Sequence, residues 1–197
     1  MATFNSGGSR AILTPDTTLY GITPDAVLMA KPGSTNLSHV LAFEERAYFR
    51  HASWRDGALL CGNGKKTIWW QDGKSRDIEG ELGNAEICPG GSIIFTRPST
   101  ATPVPGFFFS PGDQLVIRDK LGKEKILKET CVPIQHMALD RAGGSLLYVT
   151  QSDRRLSVLA GDHFPTVLNI DSGQERVLPG WKQVSQVTGT DGGWLIR

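Results

Sequence analysis

The residues of this 197-residue chain best suited to proton transfer are its four histidines, His39, His51, His136 and His163. An imidazole titrates near neutral pH, so two of them facing one substrate supply a proton donor and a proton acceptor. Two sit in similar surroundings, His39 in Leu37-Ser38-His39-Val40-Leu41 and His136 in Ile134-Gln135-His136-Met137-Ala138. Gln186, in Val184-Ser185-Gln186-Val187-Thr188, matches that slot, and Asn84 does so roughly. The set His39, Asn84, His136 and Gln186 offers donors and acceptors to a small polar ligand or an ion. The plainer expectation is that these side chains satisfy one another or hold water.

Sequence motifs add no reaction. There is no H-E-x-x-H, no C-x-x-C, no Asp-x-Asp-x-Asp-Gly loop and no G-x-S-x-G, so no metal ligand, cofactor or catalytic residue is assigned. A triad assembled from distant loops has no fixed spacing in sequence. Recognition is the other chemistry on offer. Trp69 and Trp70 are adjacent, with Trp54, Arg55, Lys65 and Lys66 nearby, and tryptophan and arginine dominate binding hot spots. Neighbours on one strand point to opposite faces, so packing between sheets is the plainer expectation for both tryptophans. The segment 97–106 carries three prolines, which favour extended, exposed backbone and make it a candidate contact loop or a tolerated insertion.

These residues are positioned by a repeat. Gly73, Gly122 and Gly173 are spaced by 49 and 51 residues. A second marker set is Gly90-Gly91-Ser92-Ile93-Ile94-Phe95, Gly143-Gly144-Ser145-Leu146-Leu147-Tyr148 and Gly192-Gly193-Trp194-Leu195-Ile196. Its second glycines are 53 and 49 residues apart. Short apolar runs alternate with Gly, Pro, Asn and Asp, the pattern of hairpins. Four strands per repeat follow. The first fall at 37–43, 84–88, 134–139 and 184–188, the second at 46–50, 92–96, 145–150 and 194–197. Third strands fall at 18–25, 57–63, 106–113 and 155–162, and fourth strands at 26–30, 67–71, 114–118 and 166–170. The segment 9–14 fits a fifth second-strand slot. No stretch shows a helical period, so helices should be few.

Four short antiparallel strands per repeat of this length predict an all-β chain, a β-propeller of about four four-stranded antiparallel blades with a period near 49 residues. Residues 1–197 form one propeller domain with repeat junctions near 33, 73, 122 and 173. Either the four blades close within one chain, or the chain is part of a larger ring shared with a second copy. An ordinary β-sandwich is the competing architecture.

The segments Ser9-Arg10-Ala11-Ile12-Leu13-Thr14-Pro15-Asp16-Thr17-Thr18-Leu19-Tyr20 and His136-Met137-Ala138-Leu139-Asp140-Arg141-Ala142-Gly143-Gly144-Ser145-Leu146-Leu147-Tyr148 resemble the strand pair of RCC1-like propellers. Leu168-Asn169-Ile170-Asp171-Ser172-Gly173-Gln174-Glu175-Arg176-Val177-Leu178 resembles TolB-type and quinoprotein-type blades. The resemblance implies a propeller fold and transfers no functional residue.

The charge balance is even, 21 basic against 20 acidic residues, which argues against a nucleic-acid partner. No apolar run is long enough for a membrane span, and the start lacks a basic then apolar leader. Three widely spaced cysteines, Cys61, Cys88 and Cys131, read as free thiols in a reducing compartment. A cytoplasmic chain, or a piece of a larger protein, is expected. The leading functional expectation is a non-catalytic interaction module that presents loops and a channel mouth to a protein partner. The alternatives are a lectin-like propeller binding carbohydrate or a small ligand, and a hydrolase or lyase using the channel with His39 and His136. A homodimer remains open. The clustering of tryptophans in two repeats counts against one sugar pocket per repeat.

Overall fold

The computed structural model describes residues 2–6, 9–44, 51–102, 112–151, 163–179, 184–191 and 193–197. Backbone contacts divide the chain into two compact units, Met1–Gly83 and Asn84–Arg197. The first unit holds a five-stranded sheet of β1 (Ala2–Ser6), β2 (Ser9–Leu13), β3 (Leu19–Ile22), β4 (Ala26–Ala30) and β5 (Ser38–Ala42). Beside it in sequence is a four-stranded sheet of β6 (His51–Arg55), β7 (Ala58–Gly62), β8 (Thr67–Gln71) and β9 (Lys74–Ile78). Ile12, Tyr20, Ile22 and Val27 from one sheet pack on Leu59, Cys61 and Ile68 from the other.

The second unit repeats the pattern. Its third sheet is β10 (Ala85–Ile87), β11 (Ile93–Pro98), β12 (Asp113–Arg118) and β13 (Glu124–Glu129). The fourth is β14 (Ile134–Leu139), β15 (Ser145–Gln151), β16 (His163–Asn169) and β17 (Glu175–Val177). A fifth holds two strands, β18 (Val187–Thr190) and β19 (Gly193–Ile196). Strands follow one another in chain order, and every pairing is antiparallel. Successive side chains point to opposite faces. Leu146 and Tyr148 therefore meet Ile94 and Leu115 of the third sheet, while Leu147 and Val149 meet Val184 and Val187. A sheet covered on both faces needs continuous apolar strands, which explains runs such as Leu146-Leu147-Tyr148-Val149.

The chain is all-β, built from propeller-type blades. A 3-10 turn at Pro89–Gly91 is the one helical element among the described residues, and none of the described helices is long and apolar enough to cross a membrane. First strands at 84–88 and 134–139 and second strands at 92–96 and 145–150 fall where the sequence places them, whereas the expected fourth strands at 67–71, 114–118 and 166–170 are third strands. Gly73, Gly122 and Gly173 lie inside sheets, at the turns joining third to fourth strands. Gly33 likewise lies between β4 and β5 of one sheet. The fourth strands β9, β13 and β17 follow those glycines and are largely exposed, so they carry no apolar run to mark them. Residues 67–71 and 114–118 are third strands, and 57–63 contains a second strand. Residues 37–43 contain β5, the fifth strand of the first sheet. The segments 46–50, 155–162 and most of 106–113 lie outside the described residues. The surplus second strand has a simple origin: five sheets begin, and β2, β7, β11, β15 and β19 are their second strands.

Two hairpins show how locally this is encoded. Asp56-Gly57 joins β6 to β7, and Asp72-Gly73 joins β8 to β9, each as a two-residue loop. All four residues have positive φ, 50°, 79°, 51° and 75°, the backbone of the turn that matches strand twist and suits Asp-Gly.

Candidate functional site

Three of the four expected ligand-binding side chains lie on, or one residue before, first strands of the second unit. Asn84 precedes β10 and is half-buried; its Nδ2 donates to the Ile134 carbonyl at 2.9 Å. His136 lies on β14, beside a bulge in the β14–β15 register. Burial pushes its pKa down, the Val184 backbone opposes this, and nearby His163 adds to the fall, which favours the neutral imidazole. Gln186 precedes β18. Its backbone N–H donates to Arg197 O at 3.2 Å and its carbonyl accepts from Arg197 N at 3.0 Å. Its side chain donates to Thr188 Oγ1 at 3.4 Å. His39 belongs to a different setting. It is exposed on β5, in the first unit. The surrounding residues of His39 and His136 look alike because both segments are apolar strands, yet one is a fifth strand and the other a first.

The structure adds a repeated contact absent from the sequence reading. Asp113 begins β12, and its Oδ2 accepts the Ile134 N–H at 2.7 Å. His163 begins β16, and its Nδ1 accepts the Val184 N–H at 3.0 Å. Each bond spans 21 residues. Each ties the start of a third strand to the approach of the next sheet's first strand. Burial pushes the Asp113 carboxyl up, partly offset by the Ile134 N–H.

The first unit meets the same need with a relay. Thr67 begins β8 and lies 3.4 Å from Nε2 of buried His51, whose Nδ1 lies 2.6 Å from the Gly83 carbonyl. A carbonyl only accepts, so Nδ1 carries the proton. Gly62 makes room for the ring: a Cβ there would sit 2.5 Å from His51 Cε1. These polar groups serve as latches between strands. The 50-residue separation of His163 and Asp113 was the signal for them, but the change of residue type hid it.

The aromatic set is dispersed by its strands. Trp54 and Trp70 pack against the first unit's core, and Trp70 meets the Tyr20 ring edge-on at 6.0 Å and 63°. Trp69 points to the other face, 8% exposed, with the Arg76 guanidinium 5.2 Å over its ring. β8 is a third strand covered by β9, which is why the tryptophans do not form one open patch. Lys65 is exposed in the β7–β8 turn, its N–H donating to Asn63 Oδ1 at 3.2 Å, and Arg55 is half-buried at the end of β6.

The outer strands of the second unit present a different surface. Ile126 on β13 is 48% exposed, Val177 on β17 is 63% exposed and Leu121 before β13 is 94% exposed. Exposed Lys123, Lys125 and Arg176 lie on the same strands or the turn before them. Lys128 Nζ bonds Glu175 Oε2 at 2.7 Å, and the Tyr148 hydroxyl donates to Glu175 Oε1 at 2.7 Å, joining the third sheet to the fourth. Burial pushes the Tyr148 hydroxyl up, reinforced by the Glu175 carboxylate. Among the described residues no three His, Cys, Asp or Glu side chains converge as a metal-binding group.

No protein-family model matches the chain, and no curated protein matches its sequence. Solved structures do. A putative TolB from Agrobacterium tumefaciens aligns over 98% of this chain and 83% of its own, with a TM-score of 0.67 and 11% identity. TolB from Acinetobacter baumannii aligns over 88% of this chain and 43% of its own, at 0.63 and 10%. An oligogalacturonate lyase in complex with manganese aligns over 96% and 58%, at 0.60 and 14%. The chain thus spans less than two thirds of the last two proteins. At such identities the likeness is one of fold, and that fold is the β-propeller.

Proposed function

We propose that the chain is a non-catalytic interaction module that binds a protein partner. The observation that carries this reading is the aliphatic and basic surface of β13 and β17, with Ile126, Val177 and Leu121 open to solvent. Exposed apolar side chains flanked by charge are a common feature of protein-binding surfaces. The polar groups best suited to chemistry support it from the other side: His51, Asp113 and His163 are committed to backbone partners. Three free cysteines, two of them buried, are compatible with a cytoplasmic location.

Chemical cross-linking with the chain as bait tests the reading. One stoichiometric partner is expected, lost on Ile126→Asp with Val177→Asp in a protein of unchanged circular dichroism. An identical set of captured proteins with both baits contradicts it. A second reading has one observation in its favour, half-buried Asn84 bonded at 2.9 Å to the Ile134 carbonyl on the strand that carries half-buried His136, which fits a small polar ligand beside Asn84, His136 and Gln186. Retention of a binding glycan or metabolite that is lost on His136→Ala would favour that reading.

A further inference from the structure

Three fourth strands end their sheets, β9, β13 and β17. β13 is the longest of them, six residues against five and three. Among the described residues it pairs with β12 alone. Its two ends fix the direction of its backbone bonds. The Asp119 N–H donates to the Lys123 carbonyl at 3.0 Å, and the Thr130 N–H donates to the Asp113 carbonyl at 2.9 Å. Antiparallel bonding alternates along a strand. Lys125 therefore bonds toward its register partner Ile117, while the N–H and C=O of Glu124 and Ile126 point to the outer edge.

The charges along this edge are unequally used. Lys123, one residue before β13, and Lys125 are exposed and lie two apart, so they share a face. Among the described residues no carboxylate pairs with either ammonium. The nearby carboxylates are committed. Arg97 Nη1 bonds Glu124 Oε2 at 2.7 Å, and Arg118 Nη2 bonds Glu124 Oε1 at 2.6 Å. Glu129 accepts from the Ser99 hydroxyl and, at 3.3 Å, from Gln114 Nε2. Asp119 accepts the backbone N–H of Leu121 and of Lys123 in its own turn, each at 2.9 Å. On the opposite face from the lysines, Ile126 is 48% exposed. β9 differs, because Lys66 bonds its Asp77 at 3.0 Å and its Arg76 lies over the Trp69 ring.

We infer that the outer edge of β13 binds an extended acidic segment of a separate protein by strand addition. The segment places acidic side chains beside Lys123 and Lys125 on one face and an aliphatic side chain beside Ile126 on the other. The backbone groups of Glu124 and Ile126 give the affinity, and the alternating side chains give the selectivity. Lysines on an edge guard against indiscriminate strand pairing. Here they repel a second β13 edge laid antiparallel, whose lysines would fall on the same face, and they admit a strand of opposite charge. The register shift between Leu115 and Val116 confines the regular edge to residues 123–126, so the segment is short. The inference rests on the interaction-module reading and names the form and charge of the partner.

The probe is a short synthetic peptide alternating aspartate with valine, titrated into the full chain and followed by backbone NMR. It is expected to bind with shifts centred on residues 123–126, while a counterpart alternating lysine with valine does not. Lys123→Glu with Lys125→Glu should reverse that preference. Ile126→Pro removes an N–H that points only to the outer edge, so β12–β13 pairing survives. Binding should then weaken at least about tenfold, the effect of losing an edge hydrogen bond and its alignment. The charge reversal changes exposed side chains alone, so it decides even where proline disturbs the sheet. No binding overturns the inference, as does equal affinity for the two peptides. Equal affinity of the wild-type chain and a folded Ile126→Pro also overturns it, because charge would then attract the peptide without strand pairing. A solution mass of twice 21.4 kDa that falls to one chain on Ile126→Pro overturns it too, because the edge would hold a second copy. If no peptide binds while a cross-linked partner still depends on Ile126 and Val177, the strand-addition edge is lost and the interaction-module reading stands.

Discussion

The fourth and fifth sheets begin alike, with Gly-Gly-Ser-Leu-Leu-Tyr at 143–148 and Gly-Gly-Trp-Leu-Ile at 192–196. They end in different environments. Leu147 and Leu195 sit on second strands and face the side on which a following sheet would lie. Leu147 is 0% exposed because the fifth sheet covers it, whereas Leu195 is 48% exposed. Ile94 of the third sheet is also fully buried, by the fourth. Counted from the glycine pair Leu195 matches Leu146, but by the face it presents it corresponds to Leu147; similar apolar strands recur, and the neighbour decides how much energy each contributes. A blade is a half-finished core until the next one is added.

The sharpest way to break this comparison is a pair of truncations. Leu147→Ala should destabilise the second unit by about 2–5 kcal/mol, since it removes a fully buried side chain and leaves a cavity. Leu195→Ala should cost less than about 1 kcal/mol, because half of the side chain is already in water. Urea denaturation followed by tryptophan fluorescence reads both. Equal losses would mean that burial does not separate the two sheets.

This dependence on neighbours also explains what could be read from the sequence. The second strands were legible because Ile93-Ile94-Phe95 and Leu146-Leu147-Tyr148 are apolar on both faces. The fourth strands were not, because Lys74-Ser75-Arg76-Asp77 and Glu175-Arg176-Val177 carry one partner and much solvent. Their glycine turns are visible in the sequence, but without an apolar run after them nothing marks the strand that follows within the same sheet. Among the site residues, His136 lies on a first strand and Asn84 one residue before the first strand of the preceding sheet, while His39 shares only their local sequence and lies on a fifth strand. The latches at Asp113 and His163 escaped because one position uses a carboxylate and the next an imidazole for the same backbone N–H. Geometry fixes the acceptor there, and either residue type satisfies it.

Those latches give the next test. Asp113→Ala and His163→Ala each strip the acceptor from a backbone N–H at the approach to the next sheet. Losses of about 1–3 kcal/mol are expected for each. Asp113→Asn keeps an oxygen acceptor and should hold most of the stability. If Asp113→Asn loses as much as Asp113→Ala, the hydrogen bond is not what the carboxylate supplies.

Titration separates two buried groups more finely. Burial raises the Asp113 carboxyl above its ordinary value of 3.8, so the folded state keeps a proton that the unfolded chain has released. Stability from this group is present below 3.8 and falls as pH rises through the raised folded value. His136 has the opposite sign. Its pKa is lowered from 6.5, so the unfolded chain takes up the proton first and stability falls as pH drops below 6.5. Melting temperatures from pH 4 to pH 8 should show the first slope vanish in Asp113→Asn and the second in His136→Gln. A His136→Gln profile parallel to the wild type would remove His136 from the account.

The smallest effect compares thiols. Cys61 is buried, and burial pushes its pKa to about 12, while Cys131 is exposed. Reactivity follows the thiolate and its access. Under native conditions a thiol reagent should label Cys131 quickly and leave Cys61 and Cys88 untouched until denaturant is added. Rapid native labelling of Cys61 would contradict its place in the core.

The central claim is that a following sheet, and not the strand itself, separates the fourth sheet from the fifth. Residue-resolved hydrogen exchange on dilute, unliganded chain tests it directly. The amides of β15, including Leu147, should be among the slowest in the second unit, and Leu195 should show partial protection through β18. Trp194 and Ile196, whose N–H groups point away from β18, should exchange fastest in β19. Protection of Trp194 and Ile196 equal to that of Leu147 would contradict the account.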